Sequence, residues 1–161
     1  MTTLNQEIEQ FRITSNGQVI QGASHTCRVL NHRVRNKYII QTFCDLRKSD
    51  AIFDAIACSG TSGLMIVPQV AELLDKHICV IRNSNDCYSE FPVEGVSPNR
   101  YIIVDDLICS GNTVKRIINA MKDQYPRSIC VGVYTYIKEE CAYTNAPKLC
   151  ERDLRIPYLS V

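Results

Sequence analysis

The chain has almost no net charge, no long apolar run and no paired cysteine motif, and each absence removes a class of function. Eighteen Lys and Arg face seventeen Asp and Glu, for a formal charge of +1. No bulk field therefore draws the chain to nucleic acid or to an anionic membrane surface, and neither is an expected partner. No apolar stretch approaches the roughly 20 residues needed to cross a bilayer. Residues 1–11 are polar and carry Glu7 and Glu9, unlike a secretory leader. The cysteines are scattered over nine positions, 27, 44, 58, 79, 87, 109, 130, 141 and 150, with no C-x-x-C among them. Local spacing thus supports neither a zinc knuckle nor a redox pair. An odd number of cysteines without a leader predicts reduced thiols and a cytoplasmic location. Neither G-x-x-x-x-G-K-[ST] nor G-x-G-x-x-G is present, and there are no repeats or low-complexity tracts. A length of 161 residues suits one domain with a substantial core.

What is there concentrates in one stretch, Tyr101-Ile102-Ile103-Val104-Asp105-Asp106-Leu107-Ile108-Cys109-Ser110-Gly111-Asn112-Thr113. The apolar start reads as a buried strand ending in two carboxylates. A turn of small polar residues follows. Val114 to Gln124 then has a helical period, with Val114, Ile117, Ile118 and Met121 on one face. Free backbone N–H groups at a helix start suit a phosphate, and an acidic pair just before it can accept hydrogen bonds from sugar hydroxyls. A buried strand with a solvated acidic end and a capped helix is the plainer alternative. Adjacent carboxylates repel, however, so keeping both at a strand end favours a ligand role.

Along the rest of the chain, residues 4–12 read as a short helix. Asn16-Gly17 reads as a hairpin turn between strands at Phe11 to Thr14 and Gln18 to Gln21. Thr26 to Asn31 suggests a further strand, and about Asn36 to Lys48 a helix. Ile52 to Ala57 reads as a buried strand opening into the small-residue loop Cys58-Ser59-Gly60-Thr61-Ser62-Gly63. A helix to about Asp75 follows, with Leu64, Val67, Val70, Ala71 and Leu74 inward and a kink or first turn at Pro68. Ile78 to Ile81 is a second buried strand. Residues 83–99, with Pro92, Gly95 and Pro98, read as a long loop suited to a lid. Ile129 to Ile137 is another strand, and the tail from Lys138 has no clear period until Ile156 to Leu159. Strands alternating with helices predict an α/β fold with a mostly parallel sheet, whose ligands gather at the carboxyl ends of the strands. The loops at 58–63, 82–99 and 105–113 fall there.

YIIVDDLICSGNT resembles the phosphoribosyl-pyrophosphate (PRPP) signature of the type I phosphoribosyltransferases. That family shows a hydrophobic run, two acidic residues, two mostly apolar residues and a Thr/Ser-rich glycine turn ending in Thr. The resemblance covers about residues 50–137. It implies the type I phosphoribosyltransferase fold as a single domain over 1–161, with core 50–137 and a hood from 1–49 and 138–161. The implied reaction displaces pyrophosphate from C1 of PRPP by a ring nitrogen of a base, with Mg²⁺ as cofactor and a homodimer as the expected assembly. Asp105 and Asp106 would hold the ribose hydroxyls and stand behind the magnesium's own ligands. Cys109, Ser110, Gly111, Asn112 and Thr113 would cradle the 5′-phosphate. Cys58, Ser59, Gly60, Thr61 and Arg82 would bind pyrophosphate, with Asp105, Asp106 and Arg82 as the catalytic set. Without the resemblance, 58–63 is an ordinary strand-to-helix turn and Arg82 an exposed strand-end cation.

The chain departs from the family's pattern in places. Hypoxanthine-guanine enzymes carry Asp where Cys109 stands, and a thiol of ordinary pKa is a poor proton acceptor at neutral pH. Orotate enzymes carry lysines in the flexible loop, and 83–99 has none, so a purine-type base is expected over orotate. Asp86 and Glu90 are candidate stand-ins for the loop carboxylate of adenine enzymes. Tyr136, Tyr143, Phe53 and Tyr158 are candidates to stack on the base. A regulator that senses PRPP or a nucleotide without turnover is the alternative to an enzyme.

Overall fold

In the computed structural model, residues 13–15, 18–20, 24–82, 90–138 and 155–159 are described. The expected helix at 4–12, Asn16-Gly17 and the 83–89 part of the long loop lie outside them. The elements, in chain order, are β1 (Ile13–Ser15), β2 (Gln18–Ile20), α1 (Ser24–Leu30), α2 (His32–Lys48), β3 (Ala55–Ser59), α3 (Gly60–Leu74), β4 (His77–Ile81), β5 (Val93–Gly95), β6 (Arg100–Asp105), α4 (Asn112–Gln124) and β7 (Ile129–Thr135). Strands β1 and β2 pair antiparallel, with Ile13 opposite Ile20, as the hairpin reading expects. The main sheet has the order β5-β4-β3-β6-β7 and is parallel except where β5 runs against β4. The tail adds a parallel bridge between Val133 and Tyr158 at the outer edge of β7.

The two central strands, β3 and β6, are apolar on both faces because helices cover both. Ile102 and Val104 of β6 face the layer of α1, α2 and α3, where they join Val29, Ile39, Val67 and Val70. Tyr101 and Ile103 face the other side and meet Val114, Ile117 and Met121 of α4. The amphipathic face read for α4 is thus the face it buries, with Ile118 half-buried beside it.

Five expectations need correction. Thr26 to Asn31 is not a strand. Residues to Leu30 belong to α1, and Asn31 caps α2, its Oδ1 accepting from the N–H groups of Arg33 and Val34 at 3.0 and 3.4 Å. A short run of this kind does not separate strand from helix, and packing of Val29 among Ile39, Val67 and Val70 places it in the helical layer. Ile52 is exposed, and the strand begins at Ala55. Residues 58–63 form no loop: Cys58 and Ser59 end β3, and α3 starts at once on Gly60, whose positive φ of 72° makes the corner. Inside that helix Leu64 faces solvent, Ile66 takes its inward place, and Pro68 sits well past the first turn. Nor is 83–99 wholly irregular, because Val93–Gly95 adds a strand to the edge of the sheet. Gly95 has φ 137°, and a Cβ there would lie 2.3 Å from the Ile78 carbonyl oxygen, so only glycine lets this edge close.

Candidate active site

The carboxyl ends of β3 and β6 lie side by side, and the chain leaves each of them into a helix. Between them is a cavity of about 310 Å³, lined by Ser59, Gly60, Ser62, residues 105–114 and Arg116. Both helices point their amino ends at this cavity. The α3 cap residue, Ser59, makes no side-chain cap; its hydroxyl instead donates to the Ile81 carbonyl at 2.8 Å. The α4 cap residue, Gly111, has no side chain to cap with, and its φ of 75° is the left-handed conformation that glycine adopts without strain. First-turn amides without side-chain caps make a favourable place for an anion.

The acidic pair forms the opposite wall. Asp105 and Asp106 are both buried. The Asp106 N–H donates to Asp105 Oδ1 at 2.9 Å, and the Leu107 N–H donates to Asp106 Oδ1 at 2.8 Å. The backbone is pinned from β7 and beyond: the N–H groups of Tyr136 and Ile137 donate to the carbonyls of Asp105 and Asp106. Burial, and then the negative charge of Asp106, hold the Asp105 carboxyl well above the usual carboxylate range, while Arg116 pulls it back in part. Such a site presents hydroxyl acceptors to a sugar, and its unfavourable charge is relieved by a bound cation or donor.

The expected site residues divide between two cavities. Asp105, Asp106, Cys109, Ser110, Gly111, Asn112, Thr113, Ser59 and Gly60 line the first. Thr61 and Arg82 line a neighbouring cavity of about 460 Å³ that shares Gly60 with it. Arg82 Nη1 is paired with Glu94 Oε1 at 2.6 Å, and its Nε is buried without a hydrogen-bond partner among the described residues. Cys58 lines neither cavity. It is buried under α3, and burial, with Asp105 nearby, pushes its thiol up to about 12. Of the stacking candidates, Tyr136 is a core residue, its ring packed on Tyr38 and its hydroxyl donating to the Ser62 carbonyl. Phe53 is buried at the other end of the sheet, and Tyr158 is bonded to Thr135. Tyr143 and Asp86 lie outside the described residues, and Glu90 is exposed.

Sequence reasoning missed Arg116. From one turn into α4 its Nη2 donates to Ser59 Oγ at 2.8 Å and its Nη1 to the Arg82 carbonyl at 3.1 Å. The only local signal is spacing: Arg116 follows Asn112 by four residues and so shares its helix face.

Among the described residues, no group of three or more His, Cys, Asp and Glu could cage a metal, and no helix is long and apolar enough to cross a membrane. A family model described as phosphoribosyl transferase domain matches residues 30–152. No curated protein sequence matches the chain. Among solved structures, an orotate phosphoribosyltransferase of Francisella tularensis is similar, with TM-score 0.64 at 16% identity, over 98% of this chain and 81% of that one. The orotate phosphoribosyltransferase of Mycobacterium tuberculosis in complex with PRPP has TM-score 0.58 at 18% identity, over 86% and 78%. The adenine phosphoribosyl transferase of Trypanosoma brucei, in complex with AMP, pyrophosphate and ribose-5-phosphate, has TM-score 0.57 at 17% identity, over 99% and 78%.

Proposed function

Because the chain belongs to the phosphoribosyl transferase domain family, of type I fold, we propose that it transfers the 5-phosphoribosyl group of PRPP to a nitrogenous base and releases pyrophosphate. The observation that carries this reading is the shared cavity: two buried carboxylates face two helix starts that lack side-chain caps, across a space of about 310 Å³. In this reading the 110–113 turn holds the 5′-phosphate by backbone N–H groups and hydroxyls. Asp105 and Asp106 accept from the ribose 2′ and 3′ hydroxyls, and their negative charge favours the positive charge that grows on the ring as its bond to pyrophosphate stretches. Ser59, Gly60 and Thr61 offer backbone donors to the departing pyrophosphate, and Arg82 offers a guanidinium. Cys109 is a small wall residue rather than a proton carrier.

Magnesium fits this donor set as a cation that arrives with the substrate. It would sit on the phosphate oxygens of PRPP and keep several waters, with Asp105 and Asp106 outside its own ligands. When bound it would offset the charge of the departing pyrophosphate.

The base is the finer question. The absence of lysine from 83–99 favours a purine-type base, whereas two of the three similar structures named above are orotate enzymes. A panel holding orotate, adenine, hypoxanthine and guanine, with PRPP and magnesium and pyrophosphate release as the readout, tests the function directly. Release with one base supports the transferase. A second reading, a PRPP or nucleotide sensor without turnover, is favoured by Arg82: its pairing with Glu94 holds the expected pyrophosphate cation in the neighbouring cavity. Tight PRPP binding with no release across the panel selects that reading. No affinity for PRPP or for any nucleotide would overturn both.

A further inference from the structure

Among the described residues, Arg116 is the only cation whose side chain lines the 310 Å³ cavity, against the carboxylates of Asp105 and Asp106. Two of its contacts are structural ones. One arm of the guanidinium donates to Ser59 Oγ at 2.8 Å and the other to the carbonyl of Arg82 at 3.1 Å. It therefore crosses from α4 to the ends of β3 and β4. Ser59 is buried, and its single hydroxyl proton goes to the Ile81 carbonyl. A serine hydroxyl has one donor and two lone pairs. With the proton on Ile81 and a lone pair engaged by Arg116, the hydroxyl is held away from the cap position that a serine before a helix ordinarily takes. That is why the first-turn amides of α3 have no side-chain cap.

We propose that Arg116 is a positioning residue for the diphosphate end of the pocket. It clamps the Ser59–Gly60 corner and the backbone of Arg82 at a set distance from the 110–113 turn, and it keeps Ser59 from capping α3. A ligand carrying a phosphate at one end and a diphosphate at the other then meets both helix starts already arranged. The clamp depends on the planar fork of a guanidinium, which reaches both acceptors at once; an ammonium carries the charge without that geometry. The inference rests on the reading of PRPP as ligand and adds to it a residue outside the signature.

The experiment is titration calorimetry of PRPP and of ribose 5-phosphate, each with magnesium, on wild type, Arg116→Gln, Arg116→Lys, Ser59→Ala and Ser59→Ala/Arg116→Lys, with thermal unfolding as the fold check. Both Arg116 variants are expected to lose PRPP affinity by about tenfold or more, the scale of one charge-assisted hydrogen bond. Ribose 5-phosphate, whose phosphate sits at the other helix start, should change by less than about threefold, since its bonds are left intact. In the Ser59→Ala background the further loss on Arg116→Lys should shrink, because the two residues act as a unit. Wild-type-like PRPP binding by Arg116→Lys, or equal losses for the two ligands, overturns the clamp. If Arg116→Gln does not fold, Arg116→Lys alone decides. Wild type that binds neither ligand overturns the PRPP reading itself, which is a different failure from wild type that binds PRPP and variants that bind it equally well.

Discussion

Replacing Asp105 by Asn should make the protein more stable and its pocket worse. The folded state holds the Asp105 carboxyl well above its ordinary value of 3.8, first by burial and then by the charge of Asp106. A raised carboxyl value means that the fold keeps a proton the unfolded chain releases. Stability is therefore fully present below about pH 4 and is lost as pH rises through the folded value. Two unit charges about 5 Å apart at an effective dielectric near 20 repel by roughly 3 kcal/mol. Arg116 offsets part of this at Asp105, leaving a gain of about 2 kcal/mol for a neutral isostere at pH 8. In a domain of this size that raises the melting temperature by about 4–8 °C. The amide keeps an oxygen to accept the Asp106 N–H that now donates to Oδ1 at 2.9 Å, so that bond is retained. The assay is thermal unfolding of wild type and Asp105→Asn at pH 8 and pH 5 without ligand, then at pH 8 with PRPP and magnesium. The gain should be large at pH 8 and small at pH 5, where the wild-type carboxyl is already protonated in the fold, and PRPP should stabilise wild type more than the variant. A variant that melts no higher than wild type at pH 8, or that gains equally at both pH values, refutes the reasoning.

Asp106→Asn should weaken PRPP binding by about tenfold or more through loss of a charged hydroxyl acceptor, whereas Cys109→Ala should change it by less than about threefold; calorimetry on both variants compares them, and equal affinity for Asp106→Asn and wild type counts against the sugar-binding role. Gly95→Ala should cost roughly 2–4 kcal/mol in chemical denaturation, since the new Cβ would fall 2.3 Å from the Ile78 carbonyl at a φ of 137°; an unchanged midpoint would mean that β5 does not pair as described. Alkylation with iodoacetamide followed by mass spectrometry should label exposed Cys109 well before Cys58 or Cys79, whose burial pushes their thiols up to about 12 and about 11. PRPP with magnesium should slow the labelling of Cys109, which lines the cavity, and no protection at saturating PRPP would place the ligand elsewhere.

What could be read from the chain and what could not follow from how far apart the cooperating residues are. Strand β6, the acidic pair, the 110–113 turn and α4 are contiguous, so their order along the chain is already their order in space. The Ser59–Gly60 corner was legible as small residues after a strand, but not as a corner without a loop, because a glycine at φ 72° starts α3 in a single step. Strand β5 was illegible: three residues between Pro92 and Pro98 carry no period, and only pairing with β4 makes them a strand. That same pairing sets Glu94 against Arg82, which is why the cation at the end of β4 lines a different cavity from the aspartates. Arg116 needed partners 57 and 34 residues away, Ser59 and Arg82, to become visible at all. The deciding fact is strand order. From β3 the chain goes to β4 on one side and then returns as β6 on the other, so the helices leaving β3 and β6 diverge to opposite faces of the sheet and leave a crevice between their starts. Periodicity supplies the strands and composition supplies the turns, but neither says that β3 and β6 are neighbours. That adjacency turns two unremarkable strand-to-helix corners into the two ends of one pocket.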